Sequence, residues 1–353
     1  MKLAIDGYEA NSQQRVGIGR YAAELLRHMA KINQSTVDVY LPDSVKPHMP
    51  HETATWKYHI VGPKPFWTFV GFPLALMRSY HDVVFSPTHY IPRWVSMPRV
   101  MAIMDVSYLK YPELFRPQDL HKLVNWTVYS VRHAVRIITI SEFSKNAIIE
   151  AYGVPKSRVV VAYPGLSMRQ TTKSSKKRGT PYILSVGTLQ PRKNFVRLIE
   201  AFATLDDKKI ELVIVGKKGW MYDDILNAPN RYGVSDRVRF LDFVPDDELP
   251  SLYNSAACFA LPSLYEGFGL PVLEAMSYGV PVVVSTSSSL PEIAGEAGIY
   301  VDPEDVSNIA KGLTQALTEN NVERIKTGKE RVKIFTWDKA AEKVMKVLEE
   351  VAK

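Results

Sequence analysis

Two carboxylates within one short segment form the most informative pattern in the chain. Residues 261–276 run LPSLYEGFGLPVLEAM, so Glu266 stands in a glycine-containing loop and Glu274 about one turn inside the helix that Pro271 opens. Carboxylates accept hydrogen bonds from paired hydroxyls, and the amides at a helix start hold anions. The segment therefore suits a ligand with two polyol regions on either side of an anionic centre. The alternative is a glycine-rich turn in which Glu266 is exposed and Glu274 caps the helix.

Two cations precede a second predicted helix. Arg192 and Lys193 follow a predicted strand and come just before a helix that begins at Phe195. The helix dipole already makes that end positive, so two cations are unfavourable there without an anion. Because arginine offers a planar fork and lysine a point charge, the pair complements a diphosphate. The alternative is that both side chains extend into water.

A loop with two glycines follows the first predicted strand. Gly17, Ile18 and Gly19 come after that strand, which ends at Asp6, and they open a helix. Glycines let backbone amides approach a phosphate or a sugar closely. The loop lacks the third glycine of the dinucleotide fingerprint, and no acidic residue ends the next strand, so a nicotinamide-dependent enzyme is disfavoured. A tight turn without a ligand explains the loop equally well.

The elements that must position these residues alternate between strand and helix. The strand runs lack strict apolar–polar alternation, which is typical of parallel strands covered on both faces. The predicted strands are Leu3–Asp6, Val37–Leu41, Asp82–Ser86, Val100–Asp105, Arg136–Ser141 and Val159–Tyr163, then Tyr182–Gly187, Glu211–Gly216, Val238–Phe243, Cys258–Pro262 and Val280–Ser285. The predicted helices are Arg20–Ile32, Asp119–Ala134, Glu142–Tyr152, Phe195–Leu205, Leu270–Tyr278 and Trp337–Glu350.

A polar, basic segment divides the two halves. Ser167–Pro181, SMRQTTKSSKKRGTP, has the composition of an exposed linker or loop. The same strand–helix alternation restarts after it. The sequence therefore predicts an α/β protein with two doubly wound domains, the first over residues 1–170 and the second over residues 171–336.

The composition excludes several classes of protein. The 353 residues are 46% hydrophobic and 23% charged, which is typical of a soluble globular chain of this length with two cores. Cys258 is the only cysteine, which excludes an internal disulfide and fits a reducing, cytoplasmic setting. Asp6 interrupts the region where a secretion signal needs apolar residues, so export by that route is not expected.

The charge is unevenly distributed. Residues 1–165 carry the whole formal net charge of +7, which fits an anionic substrate, an acidic membrane surface, nucleic acid, or surface charge that only favours solubility. Nucleic acid is disfavoured because the chain has no dense Lys/Arg stripe with interleaved aromatics. Between Lys64 and Arg78 lies an uncharged run too short to span a bilayer. Its aromatic residues either touch a bilayer interface or pack in the core: Phe66, Trp67, Phe69 and Phe72.

Three segments together carry a family resemblance. EGFGLPVLEAMSYGVPVV contains Glu266 and Glu274 as an E-x7-E motif, and it resembles the donor-binding signature of the retaining glycosyltransferases of sequence family four. SVGTLQPRKNFVRLIEAF resembles the phosphate loop of that family, and ISEFSKNAIIEAYGVPKSRVVVAYPG its interdomain passage. The resemblance implies the GT-B fold, two Rossmann-like domains facing across a cleft. It also implies that a C-terminal helix, about residues 337–353, crosses back to the first domain.

The resemblance implies roles for individual residues. Arg192 and Lys193 would bind the donor diphosphate, and Glu274 the nucleotide ribose. Glu266, together with the amides of Gly267, Phe268, Gly269 and Leu270, would hold the transferred sugar and its phosphate. Gly17, Ile18 and Gly19 would approach the diphosphate from the first domain, and Ser141 and Glu142 would lie on the acceptor side.

Two positions depart from the family pattern. Many members have an arginine where this chain has Thr188, and Arg192 is a candidate to replace it. Many members also carry a His-Asp pair where this chain has Met104 and Asp105. Either Asp105 faces the sugar as the polar group, or the site relies on the phosphate oxygen of the donor. A local turn cap is the alternative role for Asp105.

The resemblance implies a retaining hexosyltransferase that needs no metal and no further cofactor. The favoured reaction moves mannose from GDP-mannose to a glycan or lipid-linked glycan hydroxyl, as in bacterial mannosyltransferases of surface-polysaccharide assembly. Peripheral contact with an anionic membrane from the cytoplasm fits such an acceptor. Two rival classes stay open: another GT-B enzyme, such as a nucleotide-sugar epimerase or a glycosidic-bond phosphorylase, and a catalytically inactive subunit that binds a sugar nucleotide or a glycan.

Overall fold

A computed structural model gives the fold of the protein. It describes residues 1–13, 17–167, 179–245 and 247–353, so most of the predicted linker Ser167–Pro181 lies outside the described residues. The chain folds as two compact units. Unit 1 comprises Met1–Lys110, Pro117–Gly165 and Thr336–Lys353, and unit 2 comprises Tyr111–Arg116 and Leu166–Phe335.

Unit 1 is built on a parallel sheet that shows seven strands among the described residues. The order across the sheet is β3-β2-β1-β4-β5-β6-β7. The strands are β1 Lys2–Asp6, β2 Thr36–Leu41, β3 Trp56–Ile60, β4 Val83–Ser86, β5 Arg99–Ala102, β6 Arg136–Thr139 and β7 Val159–Val161. All six predicted strands are confirmed with shifts at their ends, and β3, at one edge of the sheet, was not predicted. Because β1 lies between β2 and β4, the loops that follow β1 and β4 meet at one edge of the sheet.

Helices cover this sheet as the sequence signals direct. They are α1 Ile18–Ile32, α2 Gly71–Leu76, α3 Ser107–Lys110, α4 Pro117–His133 and α5 Glu142–Tyr152. Helix α1 buries Tyr21, Leu25 and Met29 on one face. Helix α5 ends at Gly153, whose φ of 63° favours glycine.

Unit 2 repeats the architecture with six parallel strands in its described part. Their order is β10-β9-β8-β11-β12-β13. The strands are β8 Tyr182–Val186, β9 Glu211–Val215, β10 Val238–Leu241, β11 Cys258–Leu261, β12 Val282–Ser285 and β13 Gly298–Val301. The helices are α6 Phe195–Ala203, α7 Asp223–Arg231, α8 Leu249–Ser255, α9 Leu270–Ser277, α10 Leu290–Ala294, α11 Val306–Thr318 and α12 Val322–Val332. The five predicted strands are confirmed, and β13 was missed.

The last helix, α13 Trp337–Val351, belongs to unit 1. It packs against α1, where Trp337 meets the ring of Tyr21 with centroids 5.7 Å apart. Asp338 Oδ1 lies 2.6 Å from Nδ1 of His28 at the same junction. Its apolar face, which includes Val344 and Leu348, is fully buried. The chain therefore leaves unit 1 to build unit 2 and returns at its last helix.

The four aromatic residues between Lys64 and Arg78 were predicted either to pack in the core or to touch a bilayer interface, and they differ in burial. Trp67 and Phe72 are buried and stack with ring centroids 5.7 Å apart. Phe69 is half-buried against Trp126, whereas Phe66 is 75% exposed. Two of the four residues are thus core residues. Among the residues that the structure describes, no helix is long and apolar enough to cross a bilayer.

Candidate functional site

The most strongly charged buried cluster of unit 2 forms where two neighbouring strands end. Strand β8 pairs with β9 on one side and with β11 on the other. The chain direction across the sheet reverses here, and open α/β sheets form their ligand crevices at such points. The loop after β8 carries Arg192 and Lys193, and the loop after β11 carries Glu266. Strand order therefore brings together residues that lie more than seventy positions apart.

Glu266 is the centre of this cluster. Its Oε1 accepts a hydrogen bond from Nζ of Lys193 at 2.5 Å and one from Oγ of Ser263 at 2.8 Å. Its Oε2 lies 3.3 Å from Nη1 of Arg192, which also donates to the carbonyl oxygen of Tyr265 at 2.9 Å. Lys193 and Glu266 are both less than a tenth exposed. The sequence predicted that two cations near a helix start are unfavourable without an anion. The buried carboxylate of Glu266 supplies the balancing negative charge within the chain.

The electrostatics of the cluster keep Glu266 ionised. Burial alone raises the pKa of this carboxyl, but the charges of Lys193 and Arg192 and the donated hydrogen bonds lower it by more. The net pKa of Glu266 lies below its ordinary value of 4.5. At neutral pH the carboxylate is therefore a hydrogen-bond acceptor only, which suits the hydroxyls of a sugar.

Backbone geometry positions the two cations. The side chain of Lys193 packs over Gly187. A Cβ added to Gly187 would lie 3.1 Å from Cε of the lysine. The turn over Pro191–Lys193 leads into α6 through Asn194, which has a left-handed φ of 61°. The Asn194 amide stabilises this turn because Nδ2 donates to the carbonyl oxygens of Pro262 at 2.9 Å and Pro303 at 2.6 Å. Asn194 thus ties the loop of the cations to the loop of Glu266.

Two serines hold the loop that follows Glu266. The Ser289 hydroxyl donates to the carbonyl oxygens of Glu266 at 2.9 Å and Phe268 at 2.8 Å. The amide of Glu266 donates to Oγ of Ser288 at 3.0 Å. Gly269 then begins α9 with a φ of 111°, a conformation that favours glycine. The segment with Gly267 and Leu270 is therefore fixed where the family resemblance implies a sugar phosphate.

Glu274 is buried in a neighbouring aromatic setting. Its Oε2 accepts a hydrogen bond from the Tyr253 hydroxyl at 2.7 Å, and Tyr253 stacks on Tyr278 with ring centroids 5.8 Å apart. The side chain of Glu274 is buried, whereas a helix cap at the surface would be exposed. Thr188 lies half-buried in the loop after β8, before Arg192 in the chain.

The predicted site residues of unit 1 occupy local structural positions. Gly17 precedes α1 with a φ of 51°, and Ile18 and Gly19 form the first turn of that helix. Asp105 Oδ1 accepts hydrogen bonds from the amide of Ser107 at 2.9 Å and its hydroxyl at 2.6 Å, so Asp105 forms the turn that starts α3. The other two predicted residues lie at the end of β6. Ser141 caps α5, and Glu142 lies 3.5 Å from the ammonium of Lys145.

Several residues around the cluster were not predicted. They are Ser263, Ser288 and Ser289, which hold Glu266, together with Asn194 and Tyr253. Ser289 offered a signal, since it precedes Leu290-Pro291-Glu292, a helix-start pattern with Pro in the first turn. Tyr253 offered none, because its pairing with Glu274 arises only from packing. Within the described part of the chain, no group of three or more His, Cys, Asp or Glu residues is placed to hold a metal ion.

The two parallel-sheet units give the chain the GT-B fold. Its solved neighbours include sucrose-phosphate synthase from Thermosynechococcus elongatus, with a TM-score of 0.80 at 19% identity over 99% of this chain and 98% of that one. Another is Anabaena HepE in complex with UDP and glucose, with a TM-score of 0.75 at 20% identity over 99% of both chains. These similarities concern the fold.

Sequence comparison identifies the family. Residues 16–170 match the profile of Glycosyltransferase Family 4, and residues 168–334 match that of Glycosyl transferases group 1. O-antigen chain mannosyltransferase B of Escherichia coli is 34% identical over 279 residues, which are 74% of this chain and 73% of that protein. The chain belongs to the glycosyltransferase family that joins these two domains.

The buried ion pair makes a prediction about stability. Glu266→Gln removes the charge that balances Lys193, and breaking a buried pair typically costs about 3–5 kcal/mol. The carboxylate stabilises the fold above the ordinary pKa of 4.5, and this contribution is lost as pH falls through the lowered folded-state pKa. The free energy of unfolding should therefore fall by about that amount at pH 7, and the difference from the wild type should shrink below pH 4.5.

Chemical denaturation of both proteins between pH 3 and 7 measures this difference. Glu304→Gln is the matched control because Glu304 is exposed in the same unit. A loss of stability that stays constant over the whole pH range would contradict the assignment of an ionised pair.

Proposed function

We propose that the protein is a retaining mannosyltransferase that moves mannose from GDP-mannose to a hydroxyl of a glycan or lipid-linked glycan. The observation that carries the proposal is the buried contact between Lys193 and Glu266 beside Arg192. It joins a cation that suits a diphosphate to a carboxylate that suits sugar hydroxyls. The mannosyltransferase named above, similar over three quarters of the chain, supports the choice of sugar.

The chemistry requires stabilisation of a leaving group. When the bond between sugar and phosphate breaks, negative charge grows on the nucleoside diphosphate. Lys193 and Arg192 would stabilise that charge as preorganised donors, because Glu266 and Asn194 already hold their loop. Glu266 would accept hydrogen bonds from the sugar, and Glu274 from the ribose hydroxyls. The departing phosphate would help to deprotonate the acceptor hydroxyl on the same face, which retains the configuration.

The proposed chemistry assigns no step to a metal ion or another cofactor. The side chains of Arg192 and Lys193 supply positive charge at the diphosphate, the role that a divalent cation fills in many phosphoryl-binding sites. Glu266 is not assigned as a nucleophile. Both of its oxygens are engaged by Lys193, Ser263 and Arg192, which suits a positioning and charge-balancing role.

Replacing the buried lysine should impair catalysis strongly. Lys193→Ala removes one preorganised donor to the leaving group, and loss of such a donor typically lowers the rate by about 10²–10³. We expect that fall in kcat, measured as GDP release with an α-mannoside acceptor. Lys209→Ala, which changes an exposed lysine of the same unit, is the control. A kcat within about threefold of the wild type for a folded Lys193→Ala protein would contradict the assigned role.

The donor nucleotide can be identified by the rise in Tm that it causes when it binds. A nucleotide at about 100 times its Kd stabilises a protein by about 2.7 kcal/mol. We therefore expect GDP and GDP-mannose to raise the Tm more than UDP, UDP-glucose and ADP at equal concentration, with and without EDTA. NMR of the product should show the α-configuration. A larger shift with UDP-sugars would overturn the choice of donor, and conversion of the donor without any acceptor would favour an epimerase.

We also propose that a set of exposed apolar residues in unit 1 contacts an anionic membrane from the cytoplasmic side. Leu74 of α2 is exposed, as are Phe66 and Val70 before this helix and Met77 directly after it, and Tyr80 and Trp94 are also exposed. We call these six residues the apolar ridge. Large exposed apolar patches mark interaction surfaces. A lipid-linked acceptor would be reached from such a surface.

Charge and backbone geometry favour lipid as the partner. No acidic residue lies between Glu52 and Asp82, while Lys57, Lys64 and Arg78 lie there. Lys64 is paired with Asp43 at 2.8 Å, and Arg78 is exposed beside the ridge. Basic residues near anionic lipid contribute about 1 kcal/mol each. Phe66 and Trp94 adopt left-handed φ values of 57° and 56°, a strain that persists where function requires it.

Vesicle binding tests the ridge. Wild-type protein should co-sediment with phosphatidylglycerol-containing vesicles and not with pure phosphatidylcholine. Phe66→Ser/Met77→Ser should bind roughly tenfold more weakly or worse, since each large side chain contributes about 1.5–3 kcal/mol when buried. The control is Phe243→Ser/Val322→Ser, which changes exposed residues of unit 2. Equal binding to both vesicle types, or equal loss in the control, would remove the membrane from the proposal.

A further inference from the structure

The surroundings of Glu274 give a specific role to a tyrosine that the sequence did not single out. Tyr253 belongs to α8 and Glu274 to α9, and strand β11 lies between these helices in the chain. The Tyr253 hydroxyl donates a hydrogen bond to Oε2 of Glu274 at 2.7 Å. Tyr253 has no exposed surface and Glu274 is 2% exposed. The bond is therefore buried, where a low local dielectric makes it stronger than a hydrogen bond in water.

Two other rings hold the ring of Tyr253 in place. Tyr278, the residue that follows α9, is nearly parallel to it, with planes 2° apart and centroids 5.8 Å apart. Phe259 of β11 lies at a centroid distance of 5.8 Å with its plane tilted by 40°. Because the hydroxyl is attached rigidly to the ring, these contacts fix the hydroxyl relative to β11 and to the end of α9.

The helix that carries Tyr253 is also tied to β8. Tyr182 begins β8, and its hydroxyl donates to the carbonyl oxygen of Leu252 at 2.7 Å. Strand β8 leads into the loop with Lys193, and β11 leads into the loop with Glu266. The two strands that support the buried ion pair therefore also support Tyr253.

A neutral donor orients a carboxylate without cancelling its charge. At Glu266 a lysine ammonium donates the hydrogen bond, whereas at Glu274 a tyrosine hydroxyl does. Burial and the nearby negative charge of Glu274 also raise the pKa of the Tyr278 phenol. A carboxylate has about four acceptor positions, so a bond from Tyr253 is compatible with bonds from two hydroxyls of one ribose.

A glutamate without such support would suit this task poorly. Its side chain has several rotatable bonds, and ordering them when a ligand binds costs conformational entropy. A side chain that packing and hydrogen bonds have already fixed avoids much of this cost. Tyr253 provides that support to Glu274 before a nucleotide binds.

We propose that Tyr253 is a positioning residue that holds the Glu274 carboxylate for the two ribose hydroxyls of the donor. It thereby makes the site selective for ribonucleotides over nucleotides that lack these hydroxyls. The inference rests on the proposed function for the contact between Glu274 and the ribose. Because Tyr253 has no exposed surface, it acts through Glu274 and not by touching the donor.

Paired nucleotides test this role. GDP and 2′,3′-dideoxy-GDP are titrated into the full-length protein by calorimetry. Tyr253→Phe removes one oxygen atom and keeps both ring contacts. We expect it to weaken GDP binding about tenfold, while binding of the dideoxy nucleotide stays within about twofold of the wild type. The ratio of the two affinities should therefore fall about tenfold.

Tyr232→Phe is the matched control, because the Tyr232 hydroxyl donates to Oε2 of Glu200 at 2.9 Å in the same unit. It should leave both affinities within about twofold. Tyr278→Leu is a second test variant that removes the stacked ring and keeps the Tyr253 hydroxyl, and it should lower the ratio about threefold. A purely structural role would change both affinities alike, so an unchanged ratio in either folded test variant would overturn the proposal.

Steady-state kinetics separate positioning from leaving-group stabilisation. Tyr253→Phe should raise the KM for GDP-mannose about tenfold and leave kcat within about twofold, because the ribose contact is the same in the ground state and the transition state. Lys193 and Arg192 are unchanged in this variant. A large fall in kcat with an unchanged KM would count against a role at the ribose.

The outcomes distinguish this inference from the proposed function. If the wild type turns over GDP-mannose but Tyr253→Phe leaves the affinity ratio unchanged, the inference falls and the proposed function stands. If the wild type prefers UDP to GDP, the proposed donor falls, and UDP with 2′,3′-dideoxy-UDP tests Tyr253 in the same way. Failure to bind any of these nucleotides would overturn both.

Discussion

The buried ion pair between Lys193 and Glu266 constrains the two loops of unit 2 that carry it. Each charge is acceptable in the interior only because the other is present. The two loops that carry them must therefore keep their register, and Asn194, Ser263 and Ser289 maintain it with hydrogen bonds to backbone and carboxylate. The carboxylate of Glu266 also balances the two adjacent cations that precede α6. A bound diphosphate would share cations that the fold has already assembled.

Each sheet has a buried carboxyl group where its strands end, but the surroundings shift the pKa of the two groups in opposite directions. In unit 2, cations outweigh desolvation and keep Glu266 ionised. In unit 1, no described cation compensates Asp6, so desolvation prevails and its pKa rises to about 6. Environments that push similar groups apart in pKa are how one architecture supports different chemical tasks.

Sequence patterns predicted the central strands of both sheets and missed one edge strand of each sheet. The central strands were found because burial on both faces requires continuous apolar runs. Strand β3, WKYHI, and strand β13, GIYV, lie at sheet edges and mix exposed with buried positions, so they lack that signature. Glu266 and Lys193 were identifiable from local motifs. Their direct pairing and the role of Tyr253 at Glu274 depend on three-dimensional packing, which no spacing along the chain encodes. The turn formed by Asp105 is local, and it is the alternative that the sequence had left open.

The return of α13 to unit 1 has a consequence for synthesis on the ribosome. Residues 1–165 emerge first but lack the helix that covers α1, whose partner surface begins only at Trp337. Unit 2 is largely a continuous segment and can complete its core as soon as α12 has emerged. The nascent first half therefore keeps part of its apolar surface uncovered until α13 has emerged, and exposed apolar surface of this kind is what chaperones bind.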